Sequence, residues 1–308
     1  MKVSAVVVTY NRKELLLECV QAILNQTYKL DEIIIIDNNS EDGTYEYLKE
    51  NGILDHDGIT YVILNKNTGG AGGFYEGIKR ASEKKYDWVW VMDDDTIPKD
   101  DCLQKLLEAK DKVKEKVGFM ASSVYGENGE CMNAPDIDNS KRENIYASWY
   151  KYLSNGIVGI KNATFVSILI SGEAIQKCGF PIKDYFIWGD DIEYTTRITT
   201  YYGKAYFVGE SIAIHKRKNS KDGLLLYEED KKRINLYFYR YRNEFINKRL
   251  YEGIAGVTWW YLGRIRETFK ILFSKEKFKF RKIIVMHKGI FAAFFKLYDA
   301  KAVKNRFN

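Results

Sequence analysis

The chain is poor in the residues that break, cross-link or ligate: 308 residues contain three prolines, three histidines and four cysteines. Cys19, Cys102, Cys131 and Cys178 are scattered without a CxxC pair. That excludes a disulfide framework and a cysteine zinc site, and it points to a reducing cytoplasm. No basic-plus-apolar leader opens the sequence, because the run after Met1-Lys2 is too short for a signal peptide. No long apolar run follows either. Ile254–Gly263 is the longest near-apolar stretch, well short of the roughly 20 residues of a spanning helix. There is no repeat of fixed period. With 45% hydrophobic and 29% charged residues, disorder and fibrous architectures are excluded. The length allows two modest domains, or one domain with extensions.

What is present is an uneven distribution of charge. The net charge of +6 is a sum of unlike parts. Residues 1–215 carry 24 basic and 33 acidic side chains, giving −9, whereas residues 216–308 carry 24 basic and 9 acidic, giving +15. Two electrostatically different regions share one chain.

The first 125 residues alternate strand and helix patterns. Buried β-branched or aromatic strands are predicted at Val3–Val8, Ile33–Ile36, Tyr61–Leu64, Trp88–Met92 and Val117–Val124. Helical spacing is predicted at Lys13–Leu24, Thr44–Lys49, from the end of a glycine loop Asn67–Gly73 through Lys84, and at Lys99–Lys114. Such alternation predicts an open parallel α/β sheet. The polar stretch from Tyr125 to about Ala163 is predicted to hold an antiparallel hairpin or a substrate-facing loop. Strands at Ala163–Ile170 and Ala205–His215 then flank a helix at Asp190–Tyr202. Further helices are predicted at Leu224–Leu250, Thr258–Phe273 and Ile283–Leu297.

Ligands of open α/β sheets bind outside the carboxyl ends of the strands. Polar groups recur there: Thr9-Tyr10-Asn11, Asp37-Asn38-Asn39, the glycine loop, and Asp93-Asp94-Asp95. Each taken singly is also an ordinary turn or cap; four converging ends suit a nucleotide-sized ligand. Three adjacent carboxylates repel one another, and their i, i+2 spacing aims Asp93 and Asp95 to one side as oxygen ligands for Mg2+ or Mn2+. The glycines match neither a P-loop nor a G-x-G-x-x-G register, which removes support from NTPase and nicotinamide readings. A second acidic cluster, Trp188-Gly189-Asp190-Asp191-Ile192-Glu193, opens a helix, and His215 lies 24 residues beyond Asp191 at a strand end. A lone histidine is most often structural; one placed opposite two carboxylate clusters is a candidate metal ligand.

The order of VVVTYNR, IIIIDNNSEDGT, NTGGAGGF, VWVMDDDTIP and WGDDIEYTTR followed by His215 resembles the GT-A-type glycosyltransferases of family 2, over residues 1–220. NTGGAGGF and WGDDIE are similar to the galactofuranosyl- and rhamnosyltransferase branches, and the QxxRW of processive synthases is absent. The resemblance implies an α/β GT-A fold with a Rossmann-like, mostly parallel sheet flanked by helices. A nucleotide-sugar-binding half would occupy residues 1–125, an acceptor-binding half 126–220, and a basic aromatic helical region 221–308. It implies that Thr9, Asn11 and Asp37 hold base and ribose, with Arg12, Asn67 and Gly70 completing the nucleotide-sugar side. Asp93 and Asp94 would contact ribose or sugar. Asp95, with Asp93 and His215, would bind the divalent Mn2+ or Mg2+ that bridges the diphosphate. Asp191 matches the general base with Asp190 beside it, and Trp188 and Glu193 fall on the acceptor side. One base and one metal without a second nucleophilic carboxylate imply a single displacement with inversion. The implied donor is UDP-galactofuranose or dTDP-rhamnose, and the implied acceptor a hydroxyl of a bacterial surface polysaccharide that is polyprenyl-linked. A nucleotidyltransferase-like nucleotide-sugar enzyme is the enzymatic alternative, and a basic membrane- or RNA-binding adaptor the non-enzymatic one.

The basic tail interleaves Lys and Arg with Trp259, Trp260, Tyr261, Phe273, Phe280 and Phe291. It reads equally as helices at an anionic membrane surface, at the inner face of the cell membrane, and as a helical packing or homo-oligomer element with a solvated charged face. Nucleic acid as the partner is rejected in favour of these two.

Overall fold

A computed structural model describes residues 1–140, 146–217 and 224–304. Its first half alternates as the hydrophobic runs dictate: β1 (Val3–Thr9), α1 (Lys13–Leu24), β2 (Glu32–Asp37), α2 (Thr44–Glu50), β3 (Ile59–Ile63), α3 (Gly69–Glu83) and β4 (Trp88–Asp93). There follow β5 (Thr96–Pro98), α4 (Cys102–Lys112), β6 (Val117–Tyr125), β7 (Cys131–Met132), β8 (Ile157–Ile160) and β9 (Ile168–Ser171). The remainder is α5 (Gly172–Cys178), α6 (Asp190–Tyr201), β10 (Lys204–His215), α7 (Lys231–Tyr251), α8 (Gly253–Phe273) and α9 (Lys279–Lys304).

The chain divides into two compact units, Met1–Lys183 with Asp191–Arg217, and Asp184–Asp190 with Lys218–Asn308. The domain boundary expected at 220 lies outside the described residues. The first unit is one sheet of order β3-β2-β1-β4-β9-β6-β10-β5. Strands β3, β2, β1 and β4 run parallel, as do β6 and β10. Strand β9 joins the two parallel groups by running antiparallel to both β4 and β6. Every residue of β1 is buried, and alternation splits it between two cores. Val3, Ala5 and Val7 pack in one cluster with Leu16, Val20 and Ile23 of α1, while Val6 and Val8 pack in the other with Phe74 and Ile78 of α3. Burial on both faces is why the run is continuously apolar.

Several expected boundaries move. The glycine run is not a loop: α3 begins at Gly69, and Gly73 and Gly77 serve close packing. A Cβ on Gly73 would stand 2.4 Å from Val8 Cγ1, and one on Gly77 2.3 Å from Val6 Cγ1. The helix expected from Lys99 starts at Cys102 because Thr96–Pro98 pairs instead with β10. The strand expected at Ala163–Ile170 is confined to Ile168–Ser171, since Ser167 takes a positive φ of 56° and its hydroxyl oxygen accepts from Trp90 Nε1 at 3.1 Å. The predicted hairpin in the polar stretch is present as β6–β7, pairing Tyr125 with Cys131.

In the second unit α7 starts seven residues later than predicted, at an Asp230 cap that accepts from Lys232 N at 2.7 Å. Helix α9 crosses α7 closely, because a Cβ on Gly289 would meet the Phe238 carbonyl oxygen at 2.4 Å. Among the described residues no helix is long and apolar enough to cross a membrane.

Candidate active site

Strand pairing brings the first cluster together. Thr9 and Asp93 end adjacent parallel strands, with Val8 opposite Asp93. The chain then folds back as β5, whose Thr96 pairs with His215 at the end of β10. A sequence separation of 120 residues between Asp95 and His215 is thereby closed, and Lys216 N donates to the Asp95 carbonyl at 2.8 Å.

Asp94 and Asp95 are buried and Asp93 is half-buried. Thr9 Oγ1 donates to Asp94 Oδ2 at 2.7 Å, and Arg12 Nη1 donates to Asp94 Oδ1 at 3.1 Å and Asp95 Oδ2 at 2.7 Å. Arg12 is thus turned onto the carboxylates. Burial lowers its pKa, but the charges of Asp94, Asp95 and Asp93 outweigh that and raise it. Burial drives the Asp93 carboxyl well up, reinforced by Asp95 and Asp94, opposed by Arg12, and raised further by Asp191. Asp191 therefore stands within electrostatic reach of this cluster. Burial pushes Asp94 up to about 6 against the pull of Arg12. Asp95 moves the other way: burial works to raise it, but His215 and Arg12 hold it below its ordinary value.

The donor set fits a divalent cation. One ligand atom each from Asp93, Asp95 and His215 lie within 4.8 Å of one another. His215 Nδ1 lies 2.9 Å from Asn133 Oδ1, and Asn133 Nδ2 donates to Thr164 Oγ1 at 3.0 Å. With the amide in that orientation Oδ1 only accepts, so Nδ1 carries a proton and Nε2 is the ring nitrogen left to meet a partner. Nε2 lies 3.1 Å from Asp95 Oδ1, where a proton on Nε2 pairs the imidazolium with the carboxylate and lowers the Asp95 pKa. A bound metal would take the place of that proton, and a histidine oriented through its other ring nitrogen is the usual support of a metal ligand. Two carboxylates and an imidazole suit Mn2+ better than Mg2+, which prefers oxygen alone.

A second group lies at the ends of β1, β2 and β3. Asp37 is buried, accepting from Ser40 N at 2.7 Å and from the Tyr61 hydroxyl. Burial and this carboxylate drive the Tyr61 phenol up, keeping it a donor. Asn11, at φ 54°, accepts from Glu41 N at 2.7 Å, and its own N–H donates to Ser40 Oγ at 2.9 Å. Asn67 Oδ1 accepts from Gly69 N at 2.8 Å, at the start of α3. The position of a Cβ on Gly70 is open space. Asn38, which sequence reading did not single out, is buried and spans to the next loop, donating to the Gly69 carbonyl at 3.0 Å and accepting from Thr68.

The WGDDIE segment divides. Asp191 opens the part of α6 in the first unit, where its carbonyl accepts from Thr195 Oγ1 at 2.7 Å. Glu193 does not face an acceptor: it is 2% exposed and both its oxygens bind Arg197, whose Nη1 also donates to the Cys178 carbonyl at 2.8 Å. Its i, i+4 spacing to Arg197 makes it a buried structural ion pair. Trp188 and Asp190 belong to the second unit, in a turn where Phe186, Trp188 and Gly189 all have positive φ. Asn243 of α7, fully buried, holds that turn, its Nδ2 reaching the carbonyls of Tyr185, Ile187 and Trp188 at 3.0, 3.2 and 2.7 Å. Asn247 Nδ2 adds the Gly189 carbonyl at 2.8 Å, and the Trp188 ring packs on Tyr237 at 5.1 Å. Strained backbone clamped by side chains is typical of functional turns.

Residues 4–161, just over half of the chain, match the family model described as glycosyl transferase family 2. A segment of 98 residues is 38% identical to galactofuranosyltransferase GlfT1 of Mycolicibacterium smegmatis, covering 32% of this chain and 31% of that protein. A segment of 99 residues is 34% identical to poly-beta-1,6-N-acetyl-D-glucosamine synthase of Staphylococcus aureus, covering 32% and 23%. The chain thus spans about a third or less of the length of these curated relatives. In fold it is similar to S. aureus TarS 1-349 in complex with UDP-GlcNAc, at a TM-score of 0.62 and 13% identity over 96% of this chain and 83% of that one. It is also similar to GalNAc-T7 with UDP, GalNAc and Mn2+, at 0.58 and 18% over 79% and 51%. The sheet and its flanking helices are therefore of the GT-A type.

Proposed function

We propose, since this chain belongs to glycosyl transferase family 2, that it moves a hexosyl group from a nucleoside-diphosphate donor to an acceptor hydroxyl with inversion. The single observation that carries this reading is the facing of His215 Nε2 and Asp95 Oδ1 across 3.1 Å beside Asp93, a site shaped for a cation at the strand ends where a donor diphosphate would lie. UDP-galactofuranose is the favoured donor, on the likeness to GlfT1 and the glycine-rich helix start, with dTDP-rhamnose next. The proposed acceptor is a lipid-linked saccharide of a bacterial surface polysaccharide, met at the inner face of the membrane. The proposed organisation is a catalytic domain through residue 220 followed by a helical attachment region.

In the proposed mechanism Asp93, Asp95 and His215 would hold a divalent cation, Mn2+ by their donor set, which when bound would supply positive charge against the leaving diphosphate. Asn133 keeps His215 in the tautomer that offers Nε2. Thr9 and Arg12 hold Asp94 and Asp95 in place, and Arg12 supplies a second positive group beside the diphosphate. Asp37, Asn11 and Asn67 support the loops against which base and ribose would rest. Asp191 accepts the proton of the acceptor hydroxyl as its oxygen bonds to the anomeric carbon and the bond from that carbon to the diphosphate oxygen breaks.

The test is turnover of candidate donors, followed as nucleoside-diphosphate release and product formation, with Mn2+ and with chelator. Metal-dependent transfer from one donor is the expected result. Transfer unaffected by the H215A and D95N substitutions would refute the site assignment.

A further inference from the structure

The last two helices carry apolar side chains on their outward faces. On α8 Arg264 and Glu267 turn inward, toward α7, while Arg266 and Lys270 are exposed. Arg264 Nη1 lies 3.5 Å from Glu244 Oε2, Trp260 Nε1 donates to the same oxygen at 3.1 Å, and the Tyr241 hydroxyl donates to Glu267 Oε1 at 2.6 Å. The outward face, by contrast, carries Ile254, Leu262, Ile265, Phe269 and Phe273, all exposed and all within one arc at helical spacing. Helix α9 repeats the pattern. Lys282 is fully buried, its Nζ donating to the Leu226 carbonyl at 2.6 Å, and burial lowers its pKa. Phe280, Ile284, Phe291 and Phe295 point outward. Exposure reaches 80% at Phe273, 75% at Phe280 and 76% at Trp259. A scattered exposed leucine means nothing, but contiguous apolar stripes mark a surface that something covers.

The two stripes adjoin. Thr268 Oγ1 and His287 Nε2 are 3.1 Å apart. Thr268 is one turn from Ile265 and Leu272, and His287 is one turn from Ile284 and Phe291, so the helices touch along the shared edge of both stripes.

Charge selects the occupant. Arg266, Lys270, Arg281 and Lys288 are exposed beside the stripes, and no acidic residue occurs from Lys279 to Phe295. A second copy of the chain docking face to face would oppose cation to cation. A bilayer with anionic headgroups offers acyl chain to the aromatics and phosphate to the basic rim, toward which Lys and Arg snorkel. No described helix is long and apolar enough to span, so this surface would lie in the interface plane.

We propose that the outward faces of α8 and α9 form one interfacial docking surface for anionic bilayers, with Phe269, Phe273, Phe280 and Phe291 entering the headgroup–acyl boundary. This deepens the membrane contact proposed above and does not depend on the sugar chemistry. The test is flotation of the full chain at low salt with vesicles of equimolar phosphatidylglycerol and phosphatidylcholine, and with phosphatidylcholine alone. Binding to the anionic vesicles, weakening as salt rises, is expected. F273S and F280S should each lower the partition coefficient about tenfold, without changing the thermal melt, because both side chains are exposed. Brominated acyl chains should quench tryptophan fluorescence, and W259F should remove part of that quenching. Absence of flotation, flotation that F273S and F280S leave unchanged, or a lipid-free dimer that these substitutions dissolve would each overturn the proposal. UDP binding with Mn2+, measured on the same samples, separates the two readings: its loss in the wild-type chain would defeat the transferase reading and leave the vesicle result standing.

Discussion

Replacing Asn133 by glycine isolates the amide that orients His215. Asn133 sits at φ 49°, a conformation that glycine adopts freely, so the substitution removes the side chain without straining the turn. What is lost is the 2.9 Å contact to His215 Nδ1 and the 3.0 Å donation to Thr164. The imidazole is then free to rotate and to exchange tautomers, and a lone pair no longer points reliably at the cation position beside Asp95. Loss of such a supporting group weakens metal affinity by about 10- to 100-fold, equivalent to about 1.4–2.7 kcal/mol. The assay is direct Mn2+ binding by electron paramagnetic resonance or calorimetry, which does not depend on knowing the sugar. N133G should bind Mn2+ that much more weakly, whereas N133D, whose carboxylate accepts from the same Nδ1–H, should bind it at least as well as the wild type. Equal affinity in all three proteins would refute the claim that Asn133 sets the tautomer, and with it the reading of His215 as a ligand.

Four further outcomes are expected. D191N should reduce transfer about 10²- to 10⁴-fold while UDP binding by calorimetry is retained; normal turnover would remove Asp191 as the base. N243D, which turns the donor facing three carbonyls into an acceptor, should lower unfolding free energy in urea by about 2–4 kcal/mol, and a neutral result would deny the clamp on the Trp188 turn. G77A should destabilise by about 1–2 kcal/mol, since helix propensity returns only part of the overpacking against Val6, whereas G70A, facing open space, should not destabilise in the same titration. Glu32 is buried, which works to raise its pKa, but Lys84, Thr60 and Tyr86 outweigh this and lower it. A folded-state pKa below the unfolded value of about 4.3 gives stability that is present above that pH and lost as pH falls through the folded pKa. E32Q should therefore cost stability at neutral pH and progressively less in acid, and a constant difference from neutral pH into acid would contradict the assignment.

The sequence was most informative where chemistry and topology coincide. Continuous runs such as Val3–Val8 could only be strands buried on both faces, and polar residues directly after them had to lie at one end of the sheet. Thr9, Asp93, Asp94, Asp95 and His215 accordingly meet. Three kinds of feature escaped. The glycine run 69–73 looks like a loop because part of its role is steric: the missing Cβ of Gly72 makes room for Thr68 and that of Gly73 for Val8 of β1, which no local propensity records. Glu193 shares an acidic motif with Asp190 and Asp191, but a helical turn places it opposite Arg197 in the interior. Asn133 and Asn243 act across 82 and about 55 residues, through single amide groups that periodicity does not flag. The −9 and +15 halves were legible at once. That the C-terminal region buries Arg264 and Glu267 against α7 and exposes an aromatic stripe along α8 was not, because it departs from the pattern from which amphipathic helices are ordinarily read.

The central claim, a cation held by Asp93, Asp95 and His215 beneath a nucleoside diphosphate, is tested most directly by calorimetric titration of UDP in the presence of Mn2+ and again after chelation. Saturable binding is expected with Mn2+, weakened at least about tenfold by chelator, D95N or H215A. Binding of equal strength with and without the metal would contradict it.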